Sequence, residues 1–245
     1  MSALYLAWAH MRWYWGRTVI LVGVIALVLA VPAAVAGLLD ASQQQMAARA
    51  EATPLIVGAR GSRLDLAMNA LYFSNDRPDP VSMASADAIW DSGLAMAVPL
   101  HVRFTADDAP IVGTSLDYLD FRGLEVADGR QIATLGEAVL GAGAAGRLGL
   151  GPGDSLVSTP TTLFDLAGVY PLRMPVVGVL APTGTADDRA VFVDVRTAWV
   201  IEGIGHGHTD VVNDEAGPGA VTEAAASIVE YQEITPETLE SFHFH

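Results

Sequence analysis

The longest hydrophobic run in the chain covers residues 18–39, where 22 consecutive positions carry no charged side chain. Arg12 and Arg17 precede the run, and Asp40 follows it. At about 1.5 Å per helical residue the run is roughly 33 Å long, which is enough to cross a hydrocarbon core of about 30 Å. The pattern therefore predicts a transmembrane helix over residues 18–39.

Two interpretations of this N-terminal region remain open from the residues alone. Residues 34–36, Ala-Val-Ala after Pro32, have the small-x-small form that a signal peptidase cleaves, so the region resembles a secretory signal. The apolar run is long for a signal, however, and aromatic side chains crowd in front of it, namely Tyr5, Trp8, Trp13, Tyr14 and Trp15. Aromatic residues beside arginines are typical of a helix in the membrane interface. These residues favour a retained anchor, with residues 1–17 as an interfacial segment.

After the membrane run, the pattern predicts a helical stalk and two short helices. Residues 41–52 contain strong helix formers and no Gly or Pro, so we expect a stalk over residues 40–53 that continues the membrane helix. Helices are predicted over residues 62–73 and 82–92, the second capped by Ser82 or Ser85. The apolar residues 55–57 predict a short strand between the stalk and these helices.

From residue 94 onward, strand patterns dominate. Turn residues at 106–110 between two apolar runs predict a hairpin, and a short helix is expected over 142–148, after a buried strand. The polar segment 209–227 predicts a loop or weak helix. The strands are expected at 98–104, 111–113, 137–141, 155–158, 172–180 and 190–195, with a helical turn at 197–201. Short strands mixed with short helices indicate an α+β fold, a mixed α/β domain that follows one N-terminal transmembrane helix.

Charge is distributed unevenly along the chain. All 28 Asp and Glu residues lie at or after Asp40, and residues 40–245 carry 11 arginines against them, a formal charge of −17. By the positive-inside rule the N-terminal segment is predicted to be cytoplasmic and the acidic domain exported. An acidic surface repels nucleic acid, so no nucleic-acid partner is expected.

The chain has no cysteine, which excludes thiolate metal sites and thiol catalysis.

Motifs for nucleotide binding and hydrolysis are weak or missing. Residues 141–146 fit G-x-G-x-x-G, but a dinucleotide site also needs a long βαβ unit and a later acidic residue, and the predicted helix here has only about two turns. The chain contains no lysine, so it cannot supply a Walker lysine, and it has no G-x-S-x-G nucleophile elbow. We predict that the chain is not an enzyme and that any ATP hydrolysis comes from a partner.

Four of the six histidines form two H-x-H pairs, His206 with His208 and His243 with His245. Residues i and i+2 of a strand face the same side, so each pair could present two imidazoles to one metal ion. Four neutral imidazoles, or three together with Asp210 or Glu240, suit Zn²⁺. Zinc at these four histidines is therefore the one cofactor hypothesis that the sequence offers. The alternative is a polar loop and a half-buried strand that do not meet.

The order of short motifs between residues 121 and 195 resembles a known family. The motifs are Arg122-Gly123, Asp128-Gly129-Arg130, Gly136-Glu137-Ala138-Val139-Leu140-Gly141, Leu148-Gly149-Leu150-Gly151-Pro152-Gly153-Asp154, Val176-Val177-Gly178-Val179-Leu180 and Ala190-Val191-Phe192-Val193. They are similar to the extracytoplasmic core domain of MacB-type (FtsX-like) ABC-transporter permeases. The N-terminus, with Arg12 and Arg17 before the apolar run, fits the same pattern.

The resemblance implies a domain organisation and a set of partners. It implies a cytoplasmic interfacial segment at 1–17, a transmembrane helix at 18–39, a helical stalk at 40–53 and a periplasmic core domain at 54–245. Such permeases work in the bacterial inner membrane as homodimers with a cytoplasmic ATPase, and they transmit ATP-driven motion to the periplasm. They have four membrane helices, so the single run here, followed by a strand-like end at residues 241–245, is expected to be the N-terminal part of a truncated permease.

Two functions from different classes follow from these observations. The first is a permease subunit whose periplasmic domain couples cytoplasmic ATP hydrolysis to periplasmic work or substrate export. The alternative is a membrane-anchored or secreted periplasmic binding module, with zinc as the candidate ligand, that acts without an ATPase.

Overall fold

The computed structural model describes residues 3–74, 77–159 and 171–203, together with the backbone of five short strands beyond residue 204. The chain divides into two compact units, Met1–Pro54 and Leu55–His245. The first unit is helical and the second contains the sheets.

The first unit consists of helices α1, Ala3–Trp13, and α2, Trp15–Glu51, which meet at Tyr14. Helix α2 has 37 residues, so it is about 55 Å long and exceeds the hydrocarbon core of a bilayer. It continues through Pro32 and contains the predicted helical continuation after Leu39 as far as Glu51. By length and composition it is long and apolar enough to cross a membrane, and no residue of its most apolar stretch is buried by protein.

Arginine side chains in the first unit stack on aromatic rings. The guanidinium of Arg12 lies 5.6 Å from the ring centroid of Trp8, and that of Arg17 lies 5.6 Å from the ring of Tyr14. Both arginines therefore lie against the amphipathic rings that are typical of membrane interfaces.

The second unit begins with two capped helices, α3, Arg63–Tyr72, and α4, Met83–Ser92. The Ser62 hydroxyl accepts a hydrogen bond from the N–H of Asp65 at 3.2 Å, and Ser82 caps α4 in the same way. Both helices confirm the sequence prediction. The predicted strand at residues 55–57 is wrong, because this segment forms no ladder and leaves Leu55 and Val57 exposed to 80% and 62%. Apolar residues alone do not make a strand when no neighbouring strand offers backbone partners.

A mixed sheet forms the centre of the second unit. Its hydrogen-bonded order is β1-β2-β7-β4-β6-β11, and β3 and β5 also pair with β6. The β1–β2 hairpin and the β4–β7 pair are antiparallel, whereas β2–β7 and β4–β6 are parallel. The strands are β1 Leu100–Ala106, β2 Ala109–Thr114, β3 Val126–Gly129, β4 Ala138–Leu140, β5 Ser155–Val157, β6 Leu172–Leu180 and β7 Val191–Asp194, followed by β8 Gly205–Gly207, β9 Glu223–Ala224, β10 Ser227–Ile228, β11 Gln232–Glu233 and β12 Phe242–Phe244.

Helices cover both faces of this sheet, so its central strands are buried on both sides. Val139 of β4 packs in one core cluster while its neighbours Ala138 and Leu140 pack in the other, and all three are fully buried. Continuous apolar strands are expected of a sheet with two covered faces. The connecting helices are α5 Asp117–Arg122, α6 Ala142–Leu148 and α7 Val195–Glu202, with a 3-10 turn, η1, at Ala186–Arg189.

A β-bulge at Arg103 changes which core β1 faces. Val102 pairs with Val112 and Phe104 pairs with Ile111, so Arg103 is the extra residue. Val102 packs in the cluster with Val112, while Phe104 packs in the opposite cluster with Ile111. Simple alternation would have placed Val102 and Phe104 on one face.

Most of the predicted elements of the second unit are confirmed, and several others were missed. The expected strand at 172–180 is β6, the short helix at 142–148 is α6, and the helical turn at 197–201 is part of the longer α7. Helix α5, the turn η1 and strands β3, β8 and β11 were not predicted. The loop or weak helix expected at 209–227 lies mostly outside the described residues, but its described parts belong to the two-stranded pair of β9 and β10.

Candidate functional site

The family-like motifs meet around the middle of β6. Gly129 of β3 lies directly opposite Gly178 of β6, and a Cβ built on Gly129 or Gly178 would overlap backbone atoms of the neighbouring strand or of the loop after it. The N–H of Arg130 donates to the Val177 carbonyl at 2.9 Å. The Gly151-Pro152-Gly153-Asp154 turn closes on the same strand, since its Gly153 N–H donates to the Val176 carbonyl at 2.9 Å. Three motifs that are distant in sequence therefore form one backbone junction, which we call the β6 junction.

An arginine–carboxylate pair, Arg130 with Glu137, spans the loop that follows the β6 junction. The two guanidinium nitrogens Nη1 and Nη2 of Arg130 donate to the two carboxylate oxygens of Glu137 at 2.7 and 2.5 Å. The backbone N–H groups of Ala133 and Thr134 donate to Glu137 Oε2 at 2.8 and 3.2 Å. The side chain of Glu137 is 10% exposed, whereas that of Arg130 is 53% exposed. This bidentate pair fixes the loop from β3 to β4 and leaves one face of the guanidinium in solvent.

The hydrogen bonds from Arg130 lower the pKa of Glu137 to about 2, against the opposing effect of burial, and the N–H groups of Ala133 and Thr134 lower it further. A carboxylate with a lowered pKa stabilises the folded state above its ordinary pKa of about 4.5, and this contribution is lost as the pH falls toward 2. The pKa shift of Glu137 alone would correspond to a contribution of about 3 kcal/mol to the free energy of unfolding. Because solvent reaches Arg130 and screens the pair, we expect a contribution of about 1–2 kcal/mol.

Replacing Glu137 with glutamine is therefore expected to lower the free energy of unfolding by about 1–2 kcal/mol at pH 7, since the charge-assisted hydrogen bonds are lost. The difference from the original chain should shrink as the pH is lowered from 4.5 to 2, where Glu137 itself becomes protonated. Urea unfolding of the full chain in detergent at several pH values measures this. Glu125→Gln, at an exposed position, is the matched control. A stability difference that stays the same at every pH would contradict the assignment of this contribution to the carboxylate charge.

A second charged cluster lies between β1 and α7. Nε2 of His101 is 3.1 Å from Oε2 of Glu202, and Nε of Arg103 is 3.2 Å from Oε1 of the same carboxylate. The two facing atoms of His101 and Glu202 are buried, but neither makes a well-directed hydrogen bond. Contact with His101 and the charge of Arg103 lower the pKa of Glu202, against the effect of burial.

The G-x-G-x-x-G segment at residues 141–146 packs helix α6 against the turn η1. Gly141 precedes α6, and its N–H donates to the Ala190 carbonyl at 2.9 Å. The space beside its Cα is filled by the carbonyl groups of Asp187 and Asp188. A phosphate would need this space at the start of the helix, so the geometry supports packing rather than nucleotide binding.

The histidines proposed as zinc ligands are only partly described. Strands β8 and β12 pair antiparallel, and their register places His243 directly opposite His206. His208 and His245 lie outside the described residues. Among the residues that the structure describes, no group of three or more His, Asp or Glu side chains is arranged to hold a metal ion.

Sequence analysis did not find the two charged clusters. Arg130 and Glu137 belong to motifs that were noted for their glycines, and six residues of irregular loop separate the pair. His101, Arg103 and Glu202 meet only because α7 packs on β1, which no local pattern indicates. A hint was present in Glu137, an acidic residue at the start of an otherwise apolar strand.

Comparison with known proteins agrees with the motif order. The profile of the family described as MacB-like periplasmic core domain matches residues 18–231. No curated protein matches the sequence. The periplasmic region of MacB from Actinobacillus actinomycetemcomitans is similar over 50% of this chain and 59% of its own, at 13% identity and a TM-score of 0.39. A domain of a provisionally assigned permease protein from Porphyromonas gingivalis is similar over 51% of this chain and 60% of its own, at 15% identity and a TM-score of 0.35.

The chain thus spans about 60% of the length of each of these two solved structures, and their likeness is too remote to carry an argument by itself. The family match is different, because it covers most of the sequence and extends from the apolar helix through the sheet. A membrane anchor and a periplasmic domain follow from this match together with the apolar helix α2. The chain belongs to the MacB-like periplasmic core domain family of ABC-transporter permeases.

Proposed function

We propose that this chain is the anchored periplasmic part of a permease subunit, and that a separate cytoplasmic ATPase drives it. The observation that supports this most is the family match over residues 18–231, which includes both the apolar run of α2 and the sheet unit. The chain contains no lysine, and a P-loop requires one. This supports an ATPase that is a separate subunit. A second copy of the permease and membrane lipid are the other partners in this proposal.

Helix α2 suits the transmission of movement. Its backbone is helical from Trp15 to Glu51, without an intervening loop, so the membrane segment and the stalk form one element. Glu51 is separated from the sheet unit by only Ala52, Thr53 and Pro54. A continuous helix transmits displacement along its axis, whereas a flexible linker would absorb it. In this mechanism, nucleotide binding and hydrolysis shift the cytoplasmic end of α2, and the periplasmic domain moves in response.

The proposed orientation places the N-terminus in the cytoplasm of a bacterial cell and the second unit in the periplasm. It rests on the charge asymmetry, since Arg12 and Arg17 precede the membrane run and every acidic residue follows it. The competing function, a secreted or anchored binding module without an ATPase, predicts a different set of partners and, if the signal is cleaved, a different N-terminus.

Because the chain has no cysteine, single introduced thiols report orientation directly. We expect Ser85→Cys, at an exposed position of α4, to react with a membrane-impermeant maleimide in cells whose outer membrane has been permeabilised. Ala9→Cys, at an exposed position of α1, should react only after the inner membrane is also opened. The same membranes, solubilised in mild detergent, should yield the chain together with an ATPase.

Three results of this experiment would contradict the proposal. Loss of the Ala9→Cys label from the mature protein would show that the N-terminus is cleaved, and labelling of Ala9→Cys in permeabilised cells with an intact inner membrane would reverse the orientation. A correctly oriented chain that retains no ATPase would favour the binding module. The unsubstituted chain is the control, since it should not react with maleimide in any of these preparations.

A further inference from the structure

Helix α4 and the segment that follows it present an exposed apolar surface. No residue of α4 is buried, although the helix contains Ile89 and Trp90. After the helix, Leu94 is 90% exposed and Met96 is also exposed. Neighbouring large apolar side chains that remain exposed usually mark a site of interaction. We call residues 83–96 the α4 surface.

The indole ring of Trp90 is held in a fixed position on the α4 surface. Its Nε1–H donates to the carbonyl of Ala97 at 3.1 Å, while Trp90 as a whole remains 48% exposed. The one polar atom of the ring therefore already has its acceptor, and a partner that covers the ring has no hydrogen bond to replace. A tryptophan held in this way is suited to anchor a protein interface.

The α4 surface is acidic as well as apolar. Asp87 lies three positions before Trp90 and four before Asp91, so the three side chains share one side of the helix. Residues 78–100 also contain Asp79, and they include no arginine or histidine. Within the described part of the chain, neither Asp87 nor Asp91 forms an ion pair. Two carboxylates four positions apart repel each other, so a cationic partner would stabilise this helix.

The start of the same unit presents a second apolar surface, which has the opposite charge. Leu55 and Leu64 are exposed to 80% and 69%. The two charged side chains of residues 55–64 are Arg60 and Arg63, which are both exposed. Among the described residues, neither arginine has an acidic partner. We call residues 55–64 the basic surface.

The two surfaces are complementary, because each combines exposed apolar side chains with charges opposite to those of the other. We propose that the α4 surface of one copy of this chain binds the basic surface of a second copy. In a two-fold symmetric dimer this contact forms twice, because each chain contributes both surfaces. Contact between two α4 surfaces is disfavoured, since it would bring the aspartates of both copies together.

This inference rests on the proposed function, in which a second permease copy is a partner, and it adds which surfaces of the two copies meet. The membrane is a poorer occupant of the α4 surface, because its aspartates repel anionic headgroups. Ser85, the labelling position used above, lies on the opposite side of α4 from Asp87 and is therefore outside the proposed contact.

Cross-linking of the full chain in its own membranes tests the contact, because the chain has no cysteine to interfere. Two copies with different tags are produced in the same cells, one with Leu64→Cys and the other with Leu94→Cys. A short bifunctional maleimide should join them into a dimer that carries both tags. The control replaces Leu94→Cys with Glu125→Cys, an exposed position outside both surfaces, and should give little of this product.

Charge reversal separates the proposed contact from mere proximity of two chains. Asp87→Arg with Asp91→Arg in both copies should reduce the cross-linked product at least about tenfold, because like charges then face each other. Arg60→Asp with Arg63→Asp should have the same effect. A chain with all four substitutions should recover the product, since both surfaces have changed sign. Pairing one copy of each double variant should recover it too, because an acidic surface then meets a basic one in both contacts.

Equal cross-linking of Leu64→Cys to Leu94→Cys and to Glu125→Cys would overturn the inference, and so would a failure of the four-substitution chain to recover the product. If Leu94→Cys is shielded from maleimide but joins no second copy, lipid or another protein covers the α4 surface and the inference is wrong. A chain that retains an ATPase but gives no specific cross-link would refute only this contact. A specific cross-link in a chain without an ATPase would refute only the coupling function.

Discussion

Replacing Gly141 with alanine is expected to destabilise the periplasmic domain by about 3 kcal/mol or more. A Cβ built on Gly141 would lie well inside contact distance of the carbonyl oxygen of Asp187 and 2.6 Å from that of Asp188. These are backbone atoms, so no side-chain rotation relieves the overlap. Either α6 or the turn η1 would have to move.

The surroundings of Gly141 make such a movement costly. Its N–H donates to the Ala190 carbonyl at 2.9 Å, which fixes the distance between α6 and the start of β7. On the other side, the Asp187 carboxylate accepts a hydrogen bond from the Tyr118 hydroxyl at 2.7 Å, and Asp187 is only 2% exposed. The Asp188 carboxylate accepts from the N–H groups of Thr183 and Gly184 at 2.8 Å each. These hydrogen bonds hold the turn in place, and a shift of the turn would strain them.

The same motif provides graded controls. At Gly146, within α6, no described atom lies within 4 Å of an added Cβ, so Gly146→Ala should stabilise the domain by about 0.5–1 kcal/mol through helix propensity. At Gly143 the added Cβ would meet the Asp188 carbonyl at 3.0 Å, which predicts an intermediate cost. Thermal and urea unfolding of the three variants should rank them Gly141, Gly143, Gly146 from least to most stable. Equal stabilities would show that the backbone contact at Gly141 is not tight.

This ranking also shows what the sequence could not reveal about the G-x-G-x-x-G segment. The three glycines look equivalent in the motif, and the sequence argued against nucleotide binding because the predicted helix is too short for the βαβ unit of a dinucleotide site. Their different roles depend on Asp187 and Asp188, which lie more than 40 residues further along the chain. A close backbone approach between distant segments leaves no periodic pattern, so only the folded structure separates a required glycine from a replaceable one.

Elements with a strong hydrophobic periodicity were predictable from the sequence, whereas contacts between residues far apart in the sequence were not. The run at 172–180 matches β6 residue for residue, because a long alternation of apolar and other positions favours a strand in most environments. The segment 55–57 has strand-like residues but no partner strand, so its prediction failed. For the candidate sites, the H-x-H pairs were visible in the sequence, but only the register of β8 and β12 puts His206 opposite His243.

Replacing Gln45 with proline is expected to disconnect the periplasmic domain from ATP-driven motion while leaving that domain folded. Gln45 is an exposed residue of α2, beyond the apolar run. Proline at this position removes the N–H that donates to the carbonyl of Ala41, and its ring clashes with that carbonyl. The cost is about 3 kcal/mol, which corresponds to roughly a hundredfold shift toward a kinked or broken helix. If α2 transmits displacement, this shift should abolish nearly all of the transmitted movement.

The natural Pro32 in the same helix does not argue against this expectation. It lies inside the apolar run, where lipid offers no alternative partner for the freed carbonyl, so the chain remains helical around it. Gln45 lies beyond that run, where water can solvate the exposed carbonyl of Ala41 and stabilise the open helix. A proline is therefore tolerated in the membrane segment of α2 but disruptive in the stalk.

A fluorophore on Ser85→Cys, in the periplasmic unit, reports the movement in the complex with its ATPase. We expect an ATP-dependent change of its signal in the otherwise unsubstituted chain and in Gln45→Ala, which keeps the helix, but not in Gln45→Pro. The melting temperature of the sheet unit should be the same in all three, since Gln45 lies outside that unit. An unchanged ATP-dependent signal in Gln45→Pro would mean that motion reaches the periplasm by another path. Loss of the signal with a lowered melting temperature would instead show that the proline unfolds the domain, so the two readings together decide whether α2 is the coupling element.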